Sequence, residues 1–417
     1  MVFYSNCFVG SDPNVGPREP WHDIHAKVIG PIALDIKANF EERWSKQSEN
    51  TVGRLYETTE DEFVLEAPAT QQEHEGGPWN MQLFRSITSD SCIFDRNKHS
   101  CLHKKGGRFV ENSIQNCMVR QIRKAKRYIY MENQYFLGSA YAWQGDKSTL
   151  SNHLIPREIT QKIIEKIEAE ESFKCYIVIP MFPEGIPASA PIQEILFWQY
   201  RTMETMYKRI GQAIQAKGTG TQPADYLSFF CLGKRESLEE VPLDDLAEPE
   251  PGSAAETLRQ TLRHPIYVHC KMSIFDDEYI LIGSANVNQR SLGGNRDTEI
   301  AVGGHQPDHS ETDCPRGDVH SFRMALWAAH LGGYDEVYQQ PEQEDCWTKF
   351  KETAQEFWNL YTADEPQHSD VHMLPYPINV DEEGNVTPLE SPWDCFPDTS
   401  APVLGAKSGY LPAKLTT

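Results

Sequence analysis

The stretch from Ile266 to Ile282 constrains the fold more than any other part of the chain, because it predicts two strands and a turn. Residues 266–275 and 279–282 are rich in apolar, β-branched and aromatic types that favour strands. Successive side chains of a strand point to opposite faces. The apolar face comprises Val268, Cys270, Met272 and Ile274, and the polar face comprises His269, Lys271 and Ser273. The stretch therefore predicts a half-buried hairpin, with its turn formed by Asp276, Asp277 and Glu278.

Polar side chains of several kinds follow one another at a fixed spacing along this hairpin. The pattern is H-x-K-x4-D-x6-G-S-x-N, which begins at His269 and ends at Asn286. A lysine neutralises phosphate charge, serine and asparagine donate hydrogen bonds to phosphate oxygens, and a histidine attacks phosphorus or transfers a proton. The spacing predicts a phosphoryl-group site in which Ser284 and Asn286 lie beside His269 and Lys271.

Asp276 belongs to this pattern, but we expect its role to be structural. It follows Lys271 by five residues, and this odd separation places it on the opposite face of the strand. Its negative charge would also repel a phosphate. We therefore expect Asp276 to fix the hairpin.

Two further groups of polar residues are candidates for supporting roles. Glu299 either fixes the tautomer of a catalytic imidazole or is a peripheral carboxylate at a strand end. Glu132, Asn133 and Gln134 interrupt an otherwise apolar strand, and buried polar residues need partners. We expect these three to support the active site.

Predicted helices and strands alternate through the middle of the chain. Helices are predicted at 31–46, from Ser113 to Ile122, and at 156–169, 190–217 and 320–331; strands are predicted at 62–65, 127–136, 173–181, 226–232 and 298–302. The remainder of the first hundred residues is predicted to be irregular. The alternation predicts an α/β fold in which helices flank a sheet.

Composition excludes some classes of protein. The 417 residues carry a formal net charge of -22, which argues against a nucleic-acid-binding protein. The ten cysteines form no C-x-x-C pair, so we expect reduced thiols and no metal cluster. Neither a signal-peptide pattern nor an apolar run long enough to span a bilayer occurs in the sequence, so we expect a cytoplasmic location.

The H-x-K-x4-D-x6-G-S-x-N motif resembles that of the phospholipase D superfamily. GPREPWHDIHAKVIGPIALDI, NMQLFRSI, YIYMENQYFLGSAYAW and NQRSLGGNRDTEIAVGG also resemble stretches of plant-type phospholipases D, as does the final FPDTSAPVLGAKSGYLPAKLTT. The resemblance implies a phospholipase D-type sheet flanked by helices, with one catalytic half and remnants of the preceding half. It divides the chain into 1–110 (remainder of the first half and connecting segment), 111–340 (second-motif domain) and 341–417 (C-terminal helical and tail segment).

The resemblance also implies an activity. Plant-type phospholipases D cleave phosphatidylcholine-like lipids to phosphatidic acid and the free head group, through a phosphohistidine that water or an alcohol resolves. The family's nucleophile usually lies in the first half, which would make His269 the general acid. Lys271, Ser284 and Asn286 would hold the phosphate oxygens. A calcium requirement and peripheral contact with a phospholipid membrane surface are likewise implied by resemblance alone.

The family's first H-x-K-x4-D motif and its C2 domain do not occur in this sequence. His25-Ala26-Lys27 and His103-Lys104-Lys105 lack the aspartate, which is replaced by Ile32 and Val110. We interpret both histidines as surface or loop residues. The isolated chain is therefore expected to be inactive or weakly active, and its expected partner is a first-motif half or a second copy of itself.

Two alternatives remain open from the sequence. One is a catalytically incomplete half-enzyme that binds lipid or phosphate and acts as a regulatory protein. The other is a dimeric single-motif phosphodiesterase of the nuclease type, which the acidic charge and the long family-specific tail disfavour.

Overall fold

The computed structural model describes residues 20–48, 77–93, 109–239, 248–310, 312 and 315–417. Helix boundaries follow local sequence signals: the helix Ala190–Lys217 has a proline in its first turn and is capped at its end by Gly218, whose φ of 74° suits a residue without a Cβ. The helices are α1 Ile32–Gln47, α2 Ser113–Lys124, α3 Ile155–Ala169, α4 Ala190–Lys217, α5 Ala254–Thr261, α6 Gln289–Leu292, α7 Asp318–His330 and α8 Glu344–Thr362. Short 3-10 helices lie at Ala140–Ala142, Lys147–Thr149, Pro223–Asp225, Pro307–His309, Glu336–Gln339 and Ala413–Leu415.

Within the described residues, eleven strands form one mixed sheet and two more form a separate hairpin. The strands are β1 Trp21–His22, β2 Asn80–Thr88, β3 Val110–Asn112, β4 Tyr128–Asn133, β5 Lys174–Val178, β6 Leu227–Arg235, β7 Arg263–Val268, β8 Lys271–Phe275, β9 Tyr279–Gly283, β10 Glu299–His305, β11 Met373–Pro375, β12 Ile378–Val380 and β13 Val386–Pro388. The order is β1-β7-β6-β5-β4-β8-β9-β10-β2-β3, β11 also pairs with β6, and β12 and β13 form the separate hairpin. The central strands β4, β5 and β6 are parallel.

Helices cover both faces of the sheet, which confirms the predicted α/β class. On one face, Ile129, Met131 and Ile177 pack into a core with side chains of α2, α3 and α4. On the other face, strand residues pack with Trp327 of α7 and Phe350 of α8. Val268, Cys270, Met272 and Ile274 all belong to this second core, as the alternating pattern predicts.

Several predicted elements are confirmed, and others are wrong. The helices predicted at 31–46, 156–169, 190–217 and 320–331 correspond to α1, α3, α4 and α7. The expectation that the remainder of the first hundred residues is irregular is wrong for β2. Its partner strand, β10, lies more than two hundred residues later in the sequence, so the pairing could not be read from the local pattern. The helix predicted from Ser113 to Ile122 corresponds to α2, in which Ser113 is the first helical residue and Asn112 is the N-cap residue. The strand predicted at 62–65 lies outside the described residues.

The strand predicted over residues 266–275 is interrupted. β7 ends at Val268 beside β6, whereas β8 begins at Lys271 beside β4. Residues 269 and 270 carry the chain from one position in the sheet to the other. The interruption depends on long-range pairing, which alternating hydrophobicity does not encode.

Strands from all three predicted segments join the same sheet. β2 comes from residues before 110, β4 to β10 from 111–340, and β11 from residues after 340. The boundaries at 110 and 340 stay a prediction.

Candidate active site

His269 lies in the two-residue break between β7 and β8. The backbone N–H groups of His269 and Cys270 both donate to the carbonyl oxygen of His22, at 2.9 and 3.2 Å. His22 belongs to β1, which pairs in parallel with β7. A segment nearly 250 residues earlier in the chain therefore fixes the backbone at His269.

The residues on either side of His22 hold the imidazole of His269. Its Nδ1 lies 2.8 Å from Oδ2 of Asp23, and the Trp21 indole stacks on it with the ring centroids 4.3 Å apart. Because a carboxylate accepts hydrogen bonds, Nδ1 carries the hydrogen and Nε2 is left for chemistry. Burial raises the pKa of Asp23, but the hydrogen bonds from His269 and from the backbone N–H of Ile24, together with nearby positive charge, outweigh it, so the pKa lies below its usual value. Asp23 thus stays ionised and fixes the tautomer.

Lys271 lies next to this pair. Its ammonium donates to the carbonyl oxygen of His269. Burial lowers the pKa of Lys271, and the carboxylates of Asp23 and Glu299 oppose part of that effect. The ammonium is therefore influenced by two carboxylates and lies close to the backbone of His269.

Glu299 binds two serine hydroxyls. Ser284 donates to its Oε2 at 2.6 Å, and Ser291 donates to its Oε1 at 2.7 Å. Burial raises the pKa of Glu299, and the two hydroxyls oppose that rise. At His269 the carboxylate next to Nδ1 is that of Asp23, which precedes the motif by 246 residues. The choice between a tautomer-fixing partner and a peripheral carboxylate stays a prediction for Glu299.

Asn133 ties the Gly-Ser-x-Asn loop to the central sheet. Its Oδ1 accepts a hydrogen bond from the backbone N–H of Val287 at 3.0 Å, and it is paired with Lys271 in the register of β4 and β8. The buried Oδ1 of Asn286 has no hydrogen-bond partner within the described residues. Gln134 donates to the Tyr267 hydroxyl at 2.9 Å. These contacts bring the predicted loop and the predicted strand together.

Asp276 lies at the far end of the hairpin from His269. Its carboxylate accepts hydrogen bonds from the backbone N–H groups of Lys126, Arg127 and Tyr128, at 2.6, 2.8 and 2.9 Å. Asp276 and Asp277 both have a φ of 58°, a conformation that aspartate tolerates in tight turns. The geometry supports the structural role expected from strand parity.

Glu132 is fully buried and accepts four hydrogen bonds. Its Oε1 accepts from the hydroxyl of Tyr130 and, at 3.0 Å, from Nε2 of His330. Its Oε2 accepts from Nε2 of His22 at 2.6 Å and from Sγ of Cys270 at 3.0 Å. Burial raises the pKa of Glu132, but the two histidines outweigh it and hold the pKa well below its usual value. An ionised carboxylate therefore lies inside the sheet.

In the described part of the chain, one group of side chains is arranged closely enough to hold a metal ion, but its ligand atoms do not fit calcium. His22, Glu132 and His330 place their ligand atoms within 4.8 Å of one another. Calcium prefers six to eight oxygen ligands, whereas this group offers two imidazole nitrogens. The distances of 2.6 and 3.0 Å from Glu132 to the two histidines are those of hydrogen bonds. We interpret the group as a hydrogen-bond network.

Sequence reasoning missed Asp23, Trp21, His22 and His330. The segment PWHDIH was noted only for its family resemblance, and its pattern does not indicate which residue it contacts. His25 and Lys27, in the same segment, are exposed in a loop, as predicted. His103 lies outside the described residues.

Comparison with known proteins identifies the family. The model of the family described as phospholipase D matches residues 1–405. The chain belongs to the phospholipase D family. It is 46% identical to phospholipase D alpha 1 of Vigna unguiculata over 96% of this chain and 51% of that protein. Against phospholipase D alpha 1 of Ricinus communis it is 47% identical, over 100% of this chain and 53% of that protein.

The chain thus spans about half the length of the curated relatives it matches. A solved structure named as a phospholipase D family member, Nuc from Salmonella typhimurium, covers 62% of this chain with 12% identity. That match covers 97% of the Nuc chain, at a TM-score of 0.27.

Proposed function

We propose that this chain supplies one half of a phospholipase D active site and that the complete enzyme hydrolyses phosphatidylcholine-like lipids to phosphatidic acid and the free head group. The observation that carries the proposal is the hydrogen bond between Asp23 and Nδ1 of His269. It fixes one tautomer and directs the other nitrogen away from the carboxylate. A histidine oriented in this way is suited to proton transfer at a phosphodiester.

In this proposal His269 is the general acid. The imidazolium is stabilised by Asp23 and by the stacked indole of Trp21, and it donates its Nε2 proton to the oxygen of the departing alcohol. A histidine outside this chain attacks phosphorus and forms the phosphohistidine, which water or a second alcohol then resolves. The lipid is thus hydrolysed or transphosphatidylated.

Lys271 and the Gly-Ser-x-Asn loop are proposed to bind the phosphate oxygens. A cation and fixed hydrogen-bond donors stabilise the charge that builds up at phosphorus in the transition state. Asn133 supports this assignment because it holds the loop against β4 beside Lys271. A calcium requirement stays a prediction from the family resemblance, and none of the steps proposed here uses a calcium ion.

We propose that the lipid is reached from the water side, as a peripheral contact in the cytoplasm. None of the helices in the described ranges combines the length and hydropathy that crossing a bilayer requires. A nucleic-acid substrate is disfavoured by the formal net charge of -22.

The test is choline release from phosphatidylcholine vesicles by the chain co-expressed with a first-motif half. As that half we would use the part of the Ricinus communis relative that this chain does not match, which the family resemblance implies to carry the first motif. His269→Ala should lower turnover by about 10²–10⁴-fold, the usual range for removing a general acid or base.

The matched control is His25→Ala, because His25 is exposed and lies in a His-x-Lys triplet without the rest of the motif. Its turnover should equal that of the unchanged chain. Retention of full activity by His269→Ala would show that this histidine is not the acid and would overturn the proposed function.

A further inference from the structure

The buried carboxylate of Glu132 contacts both segments of chain that meet at His269. One contact is the 2.6 Å hydrogen bond with His22, and the other is the 3.0 Å hydrogen bond with Cys270. His22 is flanked by Trp21 and Asp23, which stack on and hydrogen-bond to the catalytic imidazole. Cys270 directly follows His269. A single side chain is therefore attached to the imidazole's backbone and to the segment that carries its partners.

Backbone hydrogen bonds close this connection into a small ring of contacts. The carbonyl oxygen of His22 accepts from the N–H groups of His269 and Cys270, at 2.9 and 3.2 Å. β1, which carries His22, has only two residues, and among the described strands it pairs only with β7. So short a strand has little of its own to fix its position. The side-chain anchor at His22 supplies what the strand itself lacks.

We propose that Glu132 is a positioning residue for the catalytic imidazole, acting through His22 and Cys270 to keep Asp23 and Trp21 in contact with His269. The inference rests on the proposed function, in which His269 is the general acid. The carboxylate of Glu132 hydrogen-bonds to neither His269 nor Asp23, so its effect reaches the reacting atoms through its neighbours.

The proton arrangement of the network supports this assignment. An ionised carboxylate only accepts, so Nε2 of both His22 and His330 must carry a hydrogen. Such a charge inside a sheet is tolerated only when it is fully hydrogen-bonded, and here four donors surround it. Two of the four donors, Tyr130 on β4 and His330 at the end of α7, belong to the central sheet and to a covering helix. Glu132 therefore connects the segment of Trp21 to Asp23 with both.

The network would hold the imidazole of His269 in a precise position. Displacing a catalytic group by about 1 Å can cost on the order of 10²-fold in rate. Glu132→Gln keeps the side-chain volume but replaces one acceptor by an amide donor that faces a second donor. We expect the segment of Trp21 to Asp23 to lose its fixed position in that variant.

The first test reads the tautomer of His269 directly, on the whole chain, without any activity. Histidines labelled with nitrogen-15 are observed by NMR at about pH 8, where an ordinary imidazole is neutral. The His269 signals, assigned by their loss in His269→Gln, should show one tautomer with the hydrogen on Nδ1. Glu132→Gln should give a mixture of both tautomers.

The matched control is Glu194→Gln, since Glu194 is a buried carboxylate on α4, with 1% of its surface exposed. It should leave the His269 tautomer unchanged. If Glu132→Gln does not fold, Tyr130→Phe removes a single donor from the same carboxylate and should still weaken the preference for the Nδ1 hydrogen. An unchanged tautomer in a folded Glu132→Gln or in Tyr130→Phe would overturn the proposal.

Two further readouts separate this proposal from its alternatives. In the chain co-expressed with a first-motif half, Glu132→Gln should lower kcat by about 10²-fold and leave KM unchanged. If Glu132→Gln shows a mixture of tautomers but the unchanged co-expressed enzyme releases no choline, the proposed function is contradicted and the positioning role remains supported.

The second readout is metal analysis of the purified chain, which should find no bound zinc. One equivalent of zinc lost in His330→Gln would show that a metal, and not the hydrogen-bond network, holds this group.

Discussion

At the scale of single residues, the site separates into two carboxylate-centred groups. Asp23 binds His269, and Glu299 binds Ser284 and Ser291. Lys271 is influenced by both groups, since both carboxylates oppose the fall of its pKa that burial causes. In the proposed function, this ammonium binds a phosphate oxygen.

Lys271→Met tests the role of that cation. The substitution keeps the apolar stem and removes the ammonium, so turnover in the co-expressed enzyme should fall by about 10²–10³-fold. Lys27→Met is the matched control, because Lys27 is exposed in the His25-Ala26-Lys27 triplet and should behave like the unchanged chain. Equal turnover and equal binding of a substrate analogue by Lys271→Met would contradict the phosphate-binding assignment.

The spacing of the motif singled out His269, Lys271, Ser284 and Asn286 because all four lie in one short segment, from the break before β8 to the loop after β9. Their roles in binding and catalysis stay predictions. The spacing could not predict Asp23 or His22. These residues reach His269 through the pairing of β1 with β7, and a two-residue strand has no periodicity to detect.

At the scale of the elements, the hairpin of β8 and β9 is held at its turn by two adjacent aspartates. Asp276 binds three backbone N–H groups that precede and begin β4. Asp277 pairs with Arg323 of α7 through two hydrogen bonds of 2.7 and 3.1 Å. The turn is therefore attached both to the neighbouring strand and to a covering helix.

Asp276→Asn should destabilise the protein. The amide keeps one acceptor oxygen but turns a donor toward backbone N–H groups, and hydrogen bonds to charged groups contribute about 1.5–3 kcal/mol. We expect the free energy of unfolding in urea to fall by about 2 kcal/mol. Asp308→Asn, at an exposed position, is the control and should have no effect. Equal stability of Asp276→Asn and the unchanged chain would show that the turn does not depend on these bonds.

Elements with a strong local signal were the ones that sequence reasoning placed well. The helix over residues 190–217 combines a long apolar period with proline at its start and glycine at its end, and α4 has these bounds. β2 lacks such a signal, since its burial alternates only in its first part. The break at residues 269 and 270 depends on which strands lie beside β7 and β8, and that is a property of the whole sheet.

At the scale of the whole molecule, buried histidines should make the fold sensitive to acid. Burial lowers the pKa of each of four histidines to about 4 from an ordinary value of 6.5: His153, His264, His320 and His372. Their folded pKa lies below the unfolded one, so the unfolded state takes up protons first as the pH falls. The contribution of these four histidines to stability is therefore fully present above pH 6.5 and declines from there toward about pH 4.

The urea midpoint should accordingly be lower at about pH 5 than at about pH 7.5. His153→Gln should reduce the difference, because a glutamine can donate to the carbonyl oxygen of Leu137 without titrating; the His153 ring nitrogen lies 2.7 Å from that oxygen. An identical midpoint at both pH values would mean that these imidazoles are not held neutral by the fold.

The central claim is that this chain provides one imidazole of a two-imidazole site. The most direct measurement compares choline release from phosphatidylcholine vesicles by the purified 417-residue chain and by the same chain co-expressed with a first-motif half. We predict no turnover by the chain alone and turnover by the co-expressed pair, which should copurify as a one-to-one complex. Robust turnover by the chain alone, eluting as a dimer on a sizing column, would contradict this account and show that two copies of His269 form the site.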